Sequence, residues 1–209
     1  MRGVFLQQKE SNMKKTLLFC NGVSGSGKTY FIHNTLPKGL FYNLRSATTR
    51  PMRNGESEGK PYFFRDESYF ETEPLATYLW VNQQIWKPGE KKWLYGIPET
   101  EIFEHIGQNL IYDVIEPKYT RQLIEWFKQN KLDNLYNFRI AFFQPPFNHM
   151  NTVSARANMP QDTIVRTTNT CTPMDFTREN LRIDYQMRPI ENICDPRLTR
   201  HLQELQKQR

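Results

Sequence analysis

Gly22-Val23-Ser24-Gly25-Ser26-Gly27-Lys28-Thr29 is the stretch on which the reading of this chain turns. The octet fits G-x-x-x-x-G-K-[ST] without a gap. Its glycines let backbone N–H groups turn inward around phosphate oxygens. A helix expected to open at about Lys28 adds a dipole that favours anions. In such a loop the lysine reaches the β- and γ-phosphates of a nucleoside triphosphate, and the Thr29 hydroxyl ligates Mg²⁺. Gly22, Ser24, Gly25, Ser26, Gly27, Lys28 and Thr29 are therefore the expected ATP-binding residues, with Thr29 also a metal ligand. A short apolar run over residues 16–20 leads into the loop, as a buried first strand would.

Outward from the loop, strand-like and helix-like segments alternate. Residues 39–44, 109–115 and 138–143 read as further strands, the last stopped by Pro145 and Pro146. Residues 119–131 carry Leu123, Ile124 and Phe127 on one side of a helix. Residues 196–208 read as a closing helix, with Asp195 at the N-cap and Pro196 at the first position. Residues 46–65 are polar and turn-rich. Alternation of this kind predicts a three-layer α/β fold with a parallel core sheet.

Bulk properties narrow the function classes. The 209 residues suit one domain, and 13% aromatics argue against disorder. Against 22 Asp and Glu stand 28 Lys and Arg, a net charge of +6. The arginines cluster near phosphate-binding motifs and do not form one lysine-rich run, which favours a small phosphorylated ligand over a nucleic acid. Three cysteines (Cys20, Cys171, Cys194) form no pattern and suggest a reducing compartment. No run reaches the ~18 apolar residues of a membrane span. The start of a signal peptide is mimicked at residues 13–20, but the apolar run is too short, so the expectation is a cytoplasmic protein. Met13 offers an alternative start, with residues 1–12 as an extension. A homodimer is compatible with the sequence.

The second cluster is Ser46-Ala47-Thr48-Thr49-Arg50-Pro51-Met52-Arg53-Asn54-Gly55-Glu56-Ser57-Glu58-Gly59-Lys60-Pro61-Tyr62. Two arginines three apart, surrounded by hydroxyls, suit a phosphate dianion, because the planar guanidinium fork matches its oxygens. Following a phosphate loop, this arm resembles that of guanylate kinases, S-x-T-T-R-x-x-R-x-G-E-x-x-G-x-x-Y, at every fixed position. The resemblance continues through Tyr95-Gly96, Ile111-Tyr112-Asp113 and Pro145-Pro146, from about residue 16 to 166. It implies a P-loop kinase that transfers the γ-phosphoryl group of ATP to a small-molecule nucleoside monophosphate.

By position, the resemblance implies that Ser46, Arg50, Arg53, Tyr62 and Tyr95 hold the acceptor's monophosphate. Asp113 matches the strand-end acid near the metal. Arg156 and Arg166 match lid arginines that close over the transferring group; the alternative is a pair of surface arginines. One guanylate-kinase-like domain over residues 1–209 is expected. Its core would take residues 13–45, 99–149 and 171–209, its acceptor lobe 46–98 and its lid 150–170.

The departures are selective. Guanylate kinases read the guanine edge with acids, which pair with its N–H donors. Here no Asp or Glu lies between Pro74 and Gly89, and Ile115 stands at the second acid position. Asn82, Gln83 or Gln84 is left to contact a base through an amide, which both donates and accepts. The expected acceptor is therefore a nucleoside monophosphate other than GMP, with ordinary GMP activity as the near alternative. A phosphopeptide-binding module, or a kinase of a phosphorylated sugar or polynucleotide, are the readings from other classes.

Overall fold

The strand that enters the phosphate loop, β1 (Lys15–Asn21), lies at the centre of a five-stranded sheet, and its composition explains why. Leu17, Leu18, Phe19 and Cys20 are all fully buried. A strand apolar on both faces has to be covered on both faces, which is the usual environment of a parallel sheet. Leu17 and Phe19 pack with Leu123, Trp126 and Phe127 on one side. Leu18 and Cys20 pack with Phe31, Leu198, Leu202 and Leu205 on the other. Each large apolar side chain buried this way contributes about 1.5–3 kcal/mol relative to exposure.

The computed structural model describes residues 13–23, 25–72, 93–114, 116–145, 171–188 and 194–208. In chain order β1 is followed by a short helix α1 (Lys28–Tyr30), which continues as a π-helical turn over Phe31–Thr35. Next come β2 (Tyr42–Asn43), β3 (Ala47–Thr48), β4 (Phe63–Phe64), α2 (Glu67–Thr72), β5 (Tyr95–Gly96) and α3 (Glu99–Phe103). Then follow β6 (Leu110–Val114), α4 (Pro117–Gln129), β7 (Tyr136–Phe143), α5 (Pro173–Arg178), β8 (Tyr185–Met187) and α6 (Pro196–Lys207).

The main sheet has the order β2-β6-β1-β7-β8, and every pair in it is parallel. The predicted three-layer α/β core with a parallel sheet is thus present. A second sheet, β4-β3-β5, pairs Ala47 with Phe63 and Gly96, and Thr48 with Phe64 and Tyr95. This small sheet falls where a loop-dominated arm was expected. Two-residue strands leave no periodic signature, and only their pairing partners reveal them. The strand expected over residues 39–44 shortens to Tyr42–Asn43. The helix Pro173–Arg178, closed by a capping box between Thr172 and Asp175, went unread.

Helix α6 begins as its sequence predicts. The Asp195 carboxylate accepts from the Arg197 amide at 2.9 Å and the Gln186 amide at 3.1 Å, so it ties the helix start to β8. The Arg197 guanidinium beside it holds its pKa down at about 2. The folded state therefore prefers the ionised form. The resulting stability is fully present above the ordinary carboxylate value of about 4 and fades as pH falls from there toward 2. Replacing Asp195 with Asn should flatten the acid limb of a stability–pH curve in that window, measured by urea unfolding.

Candidate active site

The phosphate loop is built at the carboxyl end of β1, where the chain must turn sharply into α1. At Gly22 there is no room for a side chain. A Cβ there would stand 2.6 Å from the Phe143 carbonyl oxygen and 2.9 Å from Ser26 Oγ. Gly27, which caps the helix start, has φ 94°, a left-handed conformation that other residues adopt only at a cost. Ser26 is fully buried, and its hydroxyl lacks a hydrogen-bond partner among the described residues. A buried orphan of this kind needs an explanation, and a phosphate oxygen supplies one.

Lys28 curls back over the loop. Its ammonium donates to the carbonyl oxygens of Gly22 and Val23 (2.9 Å to Val23) and lies 3.5 Å from Asp113 Oδ1. Asp113 sits at the end of β6, paired in register with Cys20 of the neighbouring strand. The protein packed around its carboxyl pushes the pKa up, with Lys28 pulling the other way. Thr29, the next residue, is exposed. Hard oxygen donors on Thr29 and Asp113 beside a phosphate loop fit Mg²⁺, which is held by one or two protein oxygens and otherwise by water and phosphate.

The acceptor arm assembles around Arg50, which is almost fully buried. Its Nη2 donates to both carboxylate oxygens of Glu56, at 2.8 and 3.0 Å, and its Nη1 to the Pro51 carbonyl at 2.6 Å. The guanidinium lies over the rings of Tyr62 and Phe64, 5.3 and 5.7 Å from their centroids. Burial works against its charge, but the bonds to Glu56 outweigh that, so its pKa is raised. Glu56 also accepts from the Arg53 amide at 2.7 Å. Burial would raise the Glu56 pKa, yet Arg50 and this amide together hold it down. Tyr62 and Tyr95 meet edge to face at 5.7 Å. Thr48 is the partner of Tyr95 across the small sheet. Burial raises the pKa of Tyr62 and Tyr95, so both act as neutral phenols.

Sequence reasoning assigned no role to Glu56, Thr48 or Tyr112. Glu56 occupies a fixed position of the arm motif, and its role becomes visible only through its partner. Ser46 bonds Tyr112 at 2.8 Å between hydroxyls. Of the expected site residues, Gly22, Gly25, Ser26, Gly27, Lys28, Thr29 and Asp113 gather at the loop. Ser46, Arg50, Arg53, Tyr62 and Tyr95 gather at the arm. Ser24, Asn82, Gln83, Arg156 and Arg166 lie outside the described residues, as do the lid over 150–170 and Ile115.

One further group of ligating side chains occurs among the described residues, at Glu101, Glu104 and His105. Glu101 is already committed there: Arg45 donates to both of its oxygens, at 2.8 and 3.1 Å, and the Tyr42 hydroxyl donates at 2.9 Å. His105 stacks on Tyr42 at 3.4 Å. This group is a structural brace between β2 and α3. Among the described residues no helix is long and apolar enough to cross a membrane.

No protein-family model matches the chain. The chain is 36% identical over 100 residues to the guanylate kinase of Syntrophomonas wolfei, a match covering 46% of this chain and 48% of that one. It is 35% identical over 107 residues to the guanylate kinase of Novosphingobium aromaticivorans, covering 49% and 45%. The matches thus span about half the length of these relatives. Among solved structures, guanylate kinase from Anaplasma phagocytophilum aligns over 84% of this chain and 77% of its own, at 13% identity and a TM-score of 0.48. With the loop and arm motifs intact, the chain is similar over about half its length to proteins that share the name guanylate kinase.

Proposed function

We propose that the chain is an ATP-dependent kinase of nucleoside monophosphates whose preferred acceptor is not GMP. The observation that supports this most is the coexistence of a complete phosphate loop, with Lys28 beside Asp113, and an assembled Arg50–Glu56–Tyr62–Tyr95 arm. A protein that only bound a phosphopeptide would need the arm and not the loop.

The reaction is in-line transfer of the ATP γ-phosphoryl group to an oxygen of the acceptor's monophosphate. Such transfer needs little covalent chemistry, and catalysis rests on positioning and charge neutralisation. Bound Mg²⁺, held by Thr29 and Asp113, would neutralise charge on the donor phosphates. Lys28 exchanges its loop carbonyls for phosphate oxygens. Arg53, with Tyr62 and Tyr95, orients the acceptor phosphate, and Arg50 holds the arm in shape through Glu56. Arg156 and Arg166 close over the transferring group. The whole chain acts as one domain with lobe and lid. For the base, the absence of an acid between Pro74 and Gly89 and the presence of Ile115 favour a reader built from Asn82 and Gln83.

A coupled ADP-release assay across the common ribo- and deoxyribonucleoside monophosphates tests this. Turnover on a nucleotide other than GMP is expected. Turnover confined to GMP and dGMP contradicts the altered specificity. Silence across that panel, or turnover on a sugar phosphate or oligonucleotide instead, contradicts the proposed reaction.

A further inference from the structure

The chain leaves the main sheet for the acceptor arm within one residue. The Leu44 amide still donates to the Ile111 carbonyl of β6 at 2.9 Å, while the Ser46 carbonyl already accepts from the Phe63 amide of β4 at 3.0 Å. Arg45 is the single residue between these two pairings. The chain returns through β5, whose Gly96 pairs with Ala47, and after Ile97 and Pro98 it enters α3.

One ion pair joins the outward and the returning crossing. Glu101, in the first turn of α3, is nearly fully buried. Its Oε1 accepts from the Arg45 amide at 3.1 Å, from Arg45 Nε at 2.8 Å and from the Tyr42 hydroxyl at 2.9 Å. Its Oε2 accepts from Arg45 Nη2 at 3.1 Å. The amide bond fixes the backbone of Arg45, and the two-pronged grip on the guanidinium fixes its direction as well as its distance. The same guanidinium touches the arm. It lies over the Phe63 ring of β4, 4.5 Å from the centroid. It also reaches the arm's turn, where a Cβ added at Gly59 would stand 3.4 Å from Arg45 Nη1. Phe63 and Phe64 are the two residues of β4 and face opposite sides of it. Arg45 lies over Phe63 and Arg50 over Phe64, so Arg45 reaches the acceptor grip through one strand.

We infer that Glu101 is a positioning residue for the acceptor: by fixing Arg45 where the chain passes from core to arm, it sets the angle at which Arg50, Arg53, Tyr62 and Tyr95 face the phosphate loop. This rests on the kinase reading above. Glu101 is buried with both oxygens engaged, so it acts through Arg45 and not on a substrate. A small rotation at a crossing becomes a larger displacement at the far end of the arm, and a misplacement of about 1 Å can cost about 10²-fold in rate. The Ser46–Tyr112 hydroxyl bond is a second tie between arm and core, so without Glu101 the arm is loosened and not detached.

The test compares wild type, Glu101→Gln and the double variant Arg45→Met with Glu101→Leu on the nucleoside monophosphate panel. Wild-type turnover on that panel checks the kinase reading, and silence there overturns that reading and the inference with it. Given turnover, Glu101→Gln should lower kcat/KM for the preferred acceptor by about 10–100-fold, through both kcat and the acceptor KM. The KM for ATP should stay put, and so should the slow hydrolysis of ATP without acceptor, because the phosphate loop lies on the core side of the crossing. The loss should be similar for every nucleotide that is turned over, since the arm grips the shared phosphate. The double variant controls for folding. Exchanging a largely buried ion pair for apolar side chains is often neutral for stability, so it should melt close to wild type and still show the loss. A double variant that regains wild-type acceptor kinetics, a Gln variant that never lost them, or an ATP KM that rises in step with the acceptor's would each overturn the inference. Should either variant fold poorly, Arg45→Lys, which keeps the charge and loses the fork, carries the same prediction in milder form.

Discussion

Replacing Lys28 with Ala should lower kcat by about 10²–10³-fold or more, the usual loss when a group that stabilises transition-state charge is removed. The reason is local. The ammonium is the one cation that the structure brings within 4 Å of Asp113 among the described residues. It sits above a loop whose Ser26 hydroxyl is buried without a partner. Phosphoryl transfer spreads negative charge over the equatorial oxygens, and little else in the loop can neutralise it. The fold should survive. What is lost is two bonds to loop carbonyls and a 3.5 Å contact with Asp113, whose side chain keeps contact with solvent. Melting temperature should therefore move by several degrees, on the order of 1–3 kcal/mol for two net hydrogen bonds. Single-turnover kinetics at saturating ATP, alongside a thermal melt, separate the two effects. A variant that melts like wild type and turns over like it would show that Lys28 does not touch the reacting phosphates.

Arg50→Ala should do the opposite and damage the fold as well as the function. Arg50 is the largest fully buried side chain among the described residues, and its fork is taken up by Glu56 and Pro51. Removing it leaves a mostly buried carboxylate facing a cavity, its two bonds from Arg50 gone and the Arg53 amide still donating to it. Breaking a buried ion pair by deleting one partner costs about 3–5 kcal/mol. Glu56 keeps some contact with solvent, so about 3 kcal/mol is the better figure here. The acceptor KM should rise by roughly 10–100-fold, since the arm loses its shape as well as a charge-assisted donor. Arg50→Lys should recover charge but not the bidentate geometry, and fall between. Glu56→Gln should soften the arm more mildly, because the neutral amide still accepts from Arg50. Urea unfolding midpoints for the three variants give the stability order, and acceptor KM values give the functional one. Equal stability for Arg50→Ala and wild type would mean that the Arg50–Glu56 pair contributes nothing net.

What the sequence made legible follows from how local each feature is. The phosphate loop is defined by eight consecutive residues, although Gly22 is also pressed by the Phe143 carbonyl and Lys28 also faces Asp113, both far along the chain. The arm was equally readable as a motif, because Arg50, Arg53 and Tyr62 lie on one short segment. β1, β6 and β7 announced themselves as apolar runs, and α6 as an N-capped helix with Leu198, Leu202 and Leu205 along one side. The small sheet was hidden because its three strands are two residues each and are recruited from positions 47 to 96. Arg50 looked like a ligand clamp in the sequence. In the folded chain much of its fork belongs to Glu56, a partner chosen by the turn at residues 53–56. Tyr112 looked like one more residue of a buried strand, and only the folded chain brings its hydroxyl to that of Ser46.

The most direct test of the central claim is to follow the γ-phosphoryl group itself. ATP labelled at the γ-phosphate, with Mg²⁺ and the preferred nucleoside monophosphate, is incubated with wild type and with Lys28→Ala, and the labelled products are separated. Wild type should move the label into a nucleoside diphosphate, with little released as inorganic phosphate, and Lys28→Ala should move almost none. Label appearing only as inorganic phosphate, or remaining on ATP with every acceptor tried, would contradict that claim.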